Sequence, residues 1–419
     1  MKKYDLIVAG GGFSGFAAAY SAAREGLSVL LIEKTNALGG ASNVNLVMPF
    51  MPYRTRVSEG SDEFYMLSRG VLENIVGRMN ELGFMNGIYG FNEEGFKIVL
   101  NRMAAEVNVE LLFGATVTDA SRSGGRIENV TVYARGKKLT LEADYFIDAT
   151  GDANLIALSG FPFRVGREKD SLCQPMTLCF RLAGVDTENF WKEKVKINER
   201  YKALKAEGKL RNPREDILVF RTLVPGTLHF NTTRIVKRDP TDPFEVTKAE
   251  IEAREQVMET VNFLKENSES CKGAVLLSTA AEIGTRESRM IDGEYLLTGS
   301  EIKNCPRFED SIAVCNYDID IHNPEGSGTS HYYFPDGKYY EIPYRVLIPR
   351  GSENLLVAGR SVSVDHEAQA SIRIMPTVCC LGEAAGTAVA VAKKHGTDVK
   401  NVDISELQRR LIENGAVIH

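Results

Sequence analysis

Cysteine, histidine and tryptophan are scarce in this chain of 419 residues: seven, six and one. The cysteines are odd in number, scattered and without C-x-x-C spacing, so a disulfide scaffold is not expected, and a reducing, cytoplasmic setting fits their usage. No His and Cys spacing reads as a metal site. No apolar run reaches the roughly eighteen residues of a membrane span. Lys2 and Lys3 precede an apolar stretch, but Asp5 interrupts it and it ends in glycines, which is not the form of a signal peptide. A basic excess is missing too. The 50 Lys and Arg stand against 56 Asp and Glu for a net charge of −6, and no basic stretch offers nucleic acid a footing. Internal repeats and low-complexity segments are also lacking.

What is present is an ordinary globular composition, 43% hydrophobic and 25% charged, in a chain long enough for two or three packed units. Its most informative feature is L-I-V-A-G-G-G-F-S-G at 6 to 15, an apolar run ending in Gly10-x-Gly12-x-x-Gly15, with Glu33 closing the next apolar run. This is the strand, turn and helix of a dinucleotide fingerprint. Gly10 permits the sharp turn, Gly12 lets backbone approach a pyrophosphate, and Gly15 lets the following helix pack on the strand. The phosphates would sit at the positive helix end, and Glu33 would accept ribose hydroxyls.

The organisation that follows is α/β. A βαβ unit at 4 to 40 leads through L-G-G-A-S-N into an excursion at about 45 to 90, expected to be helical from Glu63 to Leu82. A helix is expected from Asn92 to Val107, then a strand meander at about 108 to 142, then a separate buried strand, Y-F-I-D, ending in A-T-G-D. Residues 160 to 345 have a mixed texture with a charged helix from Ala249 to Asn267. The end of the chain returns to the first style, with the short strand N-L-L-V-A-G-R and a small-residue helix from Pro376 to Lys394. The expected units are 1–159 and 346–419, joined as one cofactor domain, with 160–345 as an inserted α+β substrate domain.

Four separated blocks, namely the glycine fingerprint with Glu33, L-G-G-A-S at 38 to 42, I-D-A-T-G-D at 147 to 152 and A-G-R…G-E-A-A-G near the end, resemble the FAD-dependent oxidoreductases of the glutathione-reductase-like superfamily. I-D-I-H-N-P at 319, I-P-Y-R-x-L-I-P at 342 and H-E-A-Q-A-S-I-R-I-M-P at 366 narrow the likeness to the broad FAD-dependent oxidoreductase family, distantly related to fumarate reductase flavoproteins. The resemblance implies a Rossmann-like FAD domain and places the cofactor against Gly10, Gly12, Phe13, Ser14, Gly15, Glu33, Lys34, Gly40, Ala41, Ser42, Val117, Ala149, Thr150, Gly151, Asp152, Gly359, Arg360, Ile372 and Arg373. Relatives that bind FAD covalently carry a His where Ala41-Ser42-Asn43 stand, which implies noncovalent FAD. A second G-x-G-x-x-G and a redox cysteine pair are both missing, so NAD(P)H, if used, comes and goes as a substrate. The helix from Pro376 would point its positive end at the flavin.

A flavin dehydrogenase needs a substrate carbon at N5 and a base for the departing proton. His366 is the first candidate and His322, in a turn, the second. For each, a structural histidine or an ordinary loop position is the equal alternative. Arg373 would stabilise negative charge, and Tyr344 and Arg345 would hold a carboxylate or hydroxyl. Arg286 and Arg289, three apart, are expected to share a helical face in a solvated or ion-paired role. Cys379 and Cys380, adjacent in a helix, are read as buried packing, as are Cys173 and Cys179. The expected activity is dehydrogenation of a small, polar, hydroxyl-bearing and sugar-like molecule. Its alternatives are reduction of an activated C=C bond, with Arg289 or Arg373 delivering the proton, and non-redox use of FAD. The implied partners are that small molecule and an electron acceptor the sequence does not name; a homo-oligomer is compatible with it.

Overall fold

The apolar run before the glycines is the strand Lys3–Ala9, and it is buried because it lies inside a seven-stranded sheet. In the computed structural model, which describes residues 3–419 and so leaves Lys2 of the basic start outside, the order is Glu110–Phe113, Val29–Glu33, Lys3–Ala9, Lys137–Asp148, Arg126–Ala134 and Ala115–Ser123. Leu355–Val357 adds itself beside Lys137–Asp148. Pairing is parallel where the sheet is covered on both faces: Ile7 stands between Leu30 and Phe146, and Ile147 lies opposite Leu356. The last block of the chain thereby completes the sheet begun by the first.

Lys137–Asp148 corrects one expectation. The meander strand and the buried Y-F-I-D strand are one continuous element of 12 residues. Its first half pairs antiparallel, Leu139 opposite Val132, and its second half parallel. The change of partner along one strand converts alternating burial into full burial, which reads in sequence as two strands.

The fingerprint helix Phe13–Arg24 packs on the long helix Met375–His395. The small residues there are required: a Cβ on Gly382 would stand 2.0 Å from the Ser14 carbonyl oxygen, and one on Gly386 2.1 Å from that of Ala18. The long helix has the length and apolarity of a membrane span, but all of its apolar window is buried in the core. The stretch expected to be helical from Glu63 to Leu82 is a short strand, Phe64–Met66, followed by a helix over Val71–Glu81, because Gly70 at φ 63° breaks the chain direction between them. The helix expected from Asn92 runs over Glu93–Glu106, with the Asn92 side chain accepting from the Glu94 N–H as N-cap.

The inserted part is a four-stranded antiparallel sheet, Val219–Arg221, Thr227–Phe230, Phe180–Ala183 and Val275–Thr279, with helices Thr187–Ala206 and Pro243–Asn267. The latter helix starts before the expected Ala249 because Asp242 caps it and Pro243 suits its first turn. This unit has its own hydrophobic core, drawn from residues 176 to 283 and Leu46. Met290, Leu297, Ile312, Tyr340 and Leu347 join the core of the sheet domain instead. The independent insertion is therefore shorter than the expected 160–345.

Candidate active site

Two adjoining cavities run from the ends of the parallel strands toward the insertion. The first is a groove over the fingerprint, lined by Gly10, Gly12, Glu33, Lys34, Gly40, Ala41, Val117, Ala149, Thr150, Gly151, Asp152 and Arg360. Gly10 has φ 100°, and a Cβ there would stand 2.4 Å from the Ala149 carbonyl oxygen. Gly15, whose Cβ would lie 1.8 Å from the Gly10 carbonyl oxygen, lets the helix begin directly against the strand. The helix has Gly12 at its N-cap, no side-chain cap and no acidic residue in its first turn, which leaves its positive end to the groove. Glu33 is buried and anchored, accepting from the Gly11 N–H at 2.7 Å and from Thr35 at 2.8 Å. Asp152 accepts from Ser288 at 2.6 Å and pairs with Arg360, and this pairing keeps its carboxyl below its ordinary pKa although burial opposes it.

The second cavity, of about 400 Å³, shares Ala41, Asn45, Thr285 and Arg360 with the groove. Into it open Arg214 and Asn231 from the insertion, Arg286 from the returning segment, Tyr317, Asp320 and His322 around I-D-I-H, and Arg373 to Met375 at the start of the long helix. That helix also has no side-chain cap and no acidic residue in its first turn.

Asp320 is the centre of this cleft. Its Oδ2 accepts from the Tyr317 hydroxyl at 3.1 Å and lies 3.3 Å from His322 Nε2 and 3.6 Å from the Arg373 guanidinium. Its Oδ1 is buried without a hydrogen-bond partner among the described residues. These neighbours hold the carboxyl far below its usual pKa despite burial. His322 Nδ1 faces the Arg234 guanidinium at 2.9 Å, which only donates, so the ring proton sits on Nε2 toward Asp320. Burial first, and Arg286 next, drive the His322 pKa down, so the ring is neutral.

The structure does not gather all the expected site residues. His366 lines neither cavity: its Nδ1 lies 2.8 Å from the fully buried Glu287, which also accepts from the Gln174 N–H. Tyr344 is buried and donates to the Val399 carbonyl, while Arg345 forms a half-exposed ion pair with Asp310, so neither reaches the cleft. The I-P-Y-R motif turns these side chains into the scaffold. Phe13 and Ile372 belong to the core, Gly359 packs near Ser14, and Ser42 donates to the Gly39 carbonyl. Arg286 and Arg289 share no helix: Arg289 begins the strand Arg289–Ile291 and donates to the Asp152 carbonyl, whereas Arg286 opens into the cleft. All seven cysteines are free thiols, and Cys379 and Cys380 are buried. Sequence reasoning missed Arg214, Asn231, Tyr317 and Asp320. Asp320 lay inside the quoted I-D-I-H motif, two residues from a chosen histidine, and strand alternation was the signal that both face the same way.

The fold and the glycine-lined groove define a Rossmann-type dinucleotide-binding protein. The family model described as FAD dependent oxidoreductase matches residues 5–411, and the chain belongs to that family. Solved structures similar to it include a geranylgeranyl bacteriochlorophyll reductase-like protein from Thermoplasma acidophilum, at 13% identity and TM-score 0.48, with 99% of this chain and 84% of that one covered. A p-nitrophenol 4-monooxygenase from Pseudomonas putida shows 11% identity and TM-score 0.49 with 96% and 83% covered. A flavoprotein/dehydrogenase from Cytophaga hutchinsonii shows 15% and 0.46 with 98% and 84% covered. The groove fits FAD on its own evidence. Arg360, which lines the groove, has a buried Nε without a hydrogen-bond partner among the described residues, and a Cβ on Gly12 would meet protein only at 3.8 Å, so the space there belongs to the groove.

Proposed function

We propose that this FAD-dependent oxidoreductase dehydrogenates a small polar molecule at a carbon bearing a hydroxyl, with FAD held noncovalently along the groove. The observation that supports this reading is the buried Asp320 Oδ1, which accepts no hydrogen bond among the described residues and has His331 Nε2 at 3.8 Å, in a cleft continuous with the groove. FAD, when bound, would supply the two-electron acceptor for the substrate's hydride. Asp320 Oδ1 accepts the hydroxyl proton. As the carbon loses hydride, that hydroxyl becomes the strongly acidic O–H of a protonated carbonyl, so even a weakly basic carboxylate suffices. His322 is a positioning residue. With one ring nitrogen tied to Arg234 and the other to Asp320, it orients the carboxylate and has no free lone pair for the substrate. His366 serves at one remove, because Glu287 and the Gln174 to Gln369 hydrogen bond brace the segment that carries Arg286.

A second reading, reduction of an activated C=C bond, is favoured by Arg286. It opens into the cleft, whereas the Arg289 expected from sequence turns to the Asp152 carbonyl, and burial first, then Arg373, Arg214 and Arg234, lower its pKa to about 9. Anaerobic mixing with alcohols, polyols and hydroxy acids, then with NADH and NADPH, separates the two. Flavin bleaching by a hydroxyl compound is the expected result. Bleaching by reduced nicotinamide alone favours the reductase, and a colourless protein removes the cofactor assignment.

A further inference from the structure

The cleft carries more positive charge than its own carboxylates neutralise, and the excess lies on the side away from the nucleotide groove. Arg214 and Arg286 line the cleft and not the groove, so the phosphates of a dinucleotide do not account for them. Arg286 is held by two neutral oxygens, the Pro175 carbonyl at 2.7 Å and the Thr177 hydroxyl at 2.5 Å. Among the described residues no carboxylate lies within 4.0 Å of it. Arg214 is buried, and its Nε, 3.7 Å from its ion-pair partners Glu215 and Asp216, makes no hydrogen bond among the described residues. The Nε of Arg373 is likewise buried and unpartnered, its one carboxylate being Asp320 at 3.6 Å. A guanidinium withdrawn from water costs free energy until an anion with matching acceptors reaches it. Arg214, Arg286 and Arg373 face one cavity, and burial first, then the neighbouring arginines, push the Arg286 pKa down.

We infer that the substrate is a carboxylate, a polyhydroxy or hydroxy acid whose anionic end docks against Arg214 and Arg286 while a hydroxyl meets Asp320 Oδ1. The inference rests on the proposed dehydrogenase reading and adds the substrate class to it. A planar carboxylate suits the fork of a guanidinium, and one anion exchanges the mutual repulsion of the arginines for attraction. The Asn231 Oδ1, buried and unpartnered on the same wall, is an acceptor for a further hydroxyl.

Calorimetric titration of the purified holoprotein with gluconate against sorbitol, and with succinate against succinamide, isolates the charge from the shape of the probe. The expected result is that each carboxylate binds at least about tenfold tighter than its neutral partner, and that Arg214→Gln abolishes the difference while Arg286→Lys, which keeps the charge, retains part of it. Equal affinity within both pairs, or heat from none of the four, overturns the inference and needs no variant to fold. The visible flavin band of the same sample reports separately on the cofactor: colourless protein that still prefers carboxylates overturns the flavin reading alone, and yellow protein without the preference overturns the substrate class alone.

Discussion

The groove and the cleft adjoin, yet they are built by opposite means. The groove is made of backbone and small side chains from contiguous motifs, and its charges are satisfied within the chain: Glu33 by Gly11 and Thr35, Asp152 by Ser288 and Arg360, Lys34 by Glu282. The cleft is made of long side chains from four distant segments: among the described residues Arg286 has no carboxylate within 4.0 Å, and Arg214 and Arg373 meet theirs only at 3.6 to 3.7 Å, beyond hydrogen-bond reach. A site for an invariant cofactor is specified by shape, with little flexible polar surface to reorganise. A site for the variable partner is specified by unpaired charge, which only the right ligand satisfies.

Substitutions test whether this division holds. The largest effect is expected in the groove. Gly15→Ala puts a methyl 1.8 Å from the Gly10 carbonyl oxygen, a backbone clash expected to cost about 4 kcal/mol or more and to yield insoluble or flavin-free protein. Retention of flavin in soluble Gly15→Ala protein would show that the turn is not as tight as described. In the cleft, Asp320→Asn is expected to leave flavin content unchanged and to lower kcat/KM about tenfold to a hundredfold for the compound that bleaches the flavin. Loss of flavin instead would mean that the two cavities are not separable.

Two smaller effects concern the scaffold that both cavities share. His366→Ala is expected to keep flavin and most of the turnover while losing about 1–3 kcal/mol in denaturant unfolding, because the fully buried Glu287 loses one of its two partners, His366 and the Gln174 N–H; a selective loss of flavin reduction rate would return His366 to the reacting atoms. Glu383, on the long helix, accepts from the Val71 N–H at the start of the helix Val71–Glu81, and burial pushes its carboxyl up to about 7. Its folded pKa lies above the ordinary 4.5, so the native state binds more protons than the unfolded chain between those values and stability falls as pH rises across that window. Glu383→Gln keeps an acceptor for Val71 and removes the titration. Melting curves at pH 5 and pH 7 are expected to show the variant gaining on the wild type by about 1–2 kcal/mol at the higher pH, and a difference independent of pH would refute the buried titration.

How far the sequence could be read follows the same division. The groove was legible because Gly10, Gly12 and Gly15 act through backbone within one turn, and because Glu33 and Ala149 to Asp152 end strands of a buried parallel sheet. His366, Tyr344 and Arg345 misled because a motif marks a place in the chain and leaves the facing of a side chain open. Arg345 found Asp310 and Tyr344 found the Val399 carbonyl, both remote in sequence. Arg214 and Asn231 stood in segments without any motif.

Local pattern was enough for the glycine turn of the dinucleotide unit and for the small residues between the two packed helices, since each rests on periodicity or on a steric limit at a single residue, while the family resemblance implied that the two chain ends join in one FAD domain. Tertiary contacts alone make Lys137–Asp148 one strand with two kinds of partner, leave the insertion with its own core shorter than its changed texture suggests, and set Asp320 at the centre of the cleft beside Arg286, Arg214 and Arg373. Those outcomes depend on which distant groups meet when the insertion folds back over the strand ends, and on which charges are left without a partner there, and no local pattern encodes either.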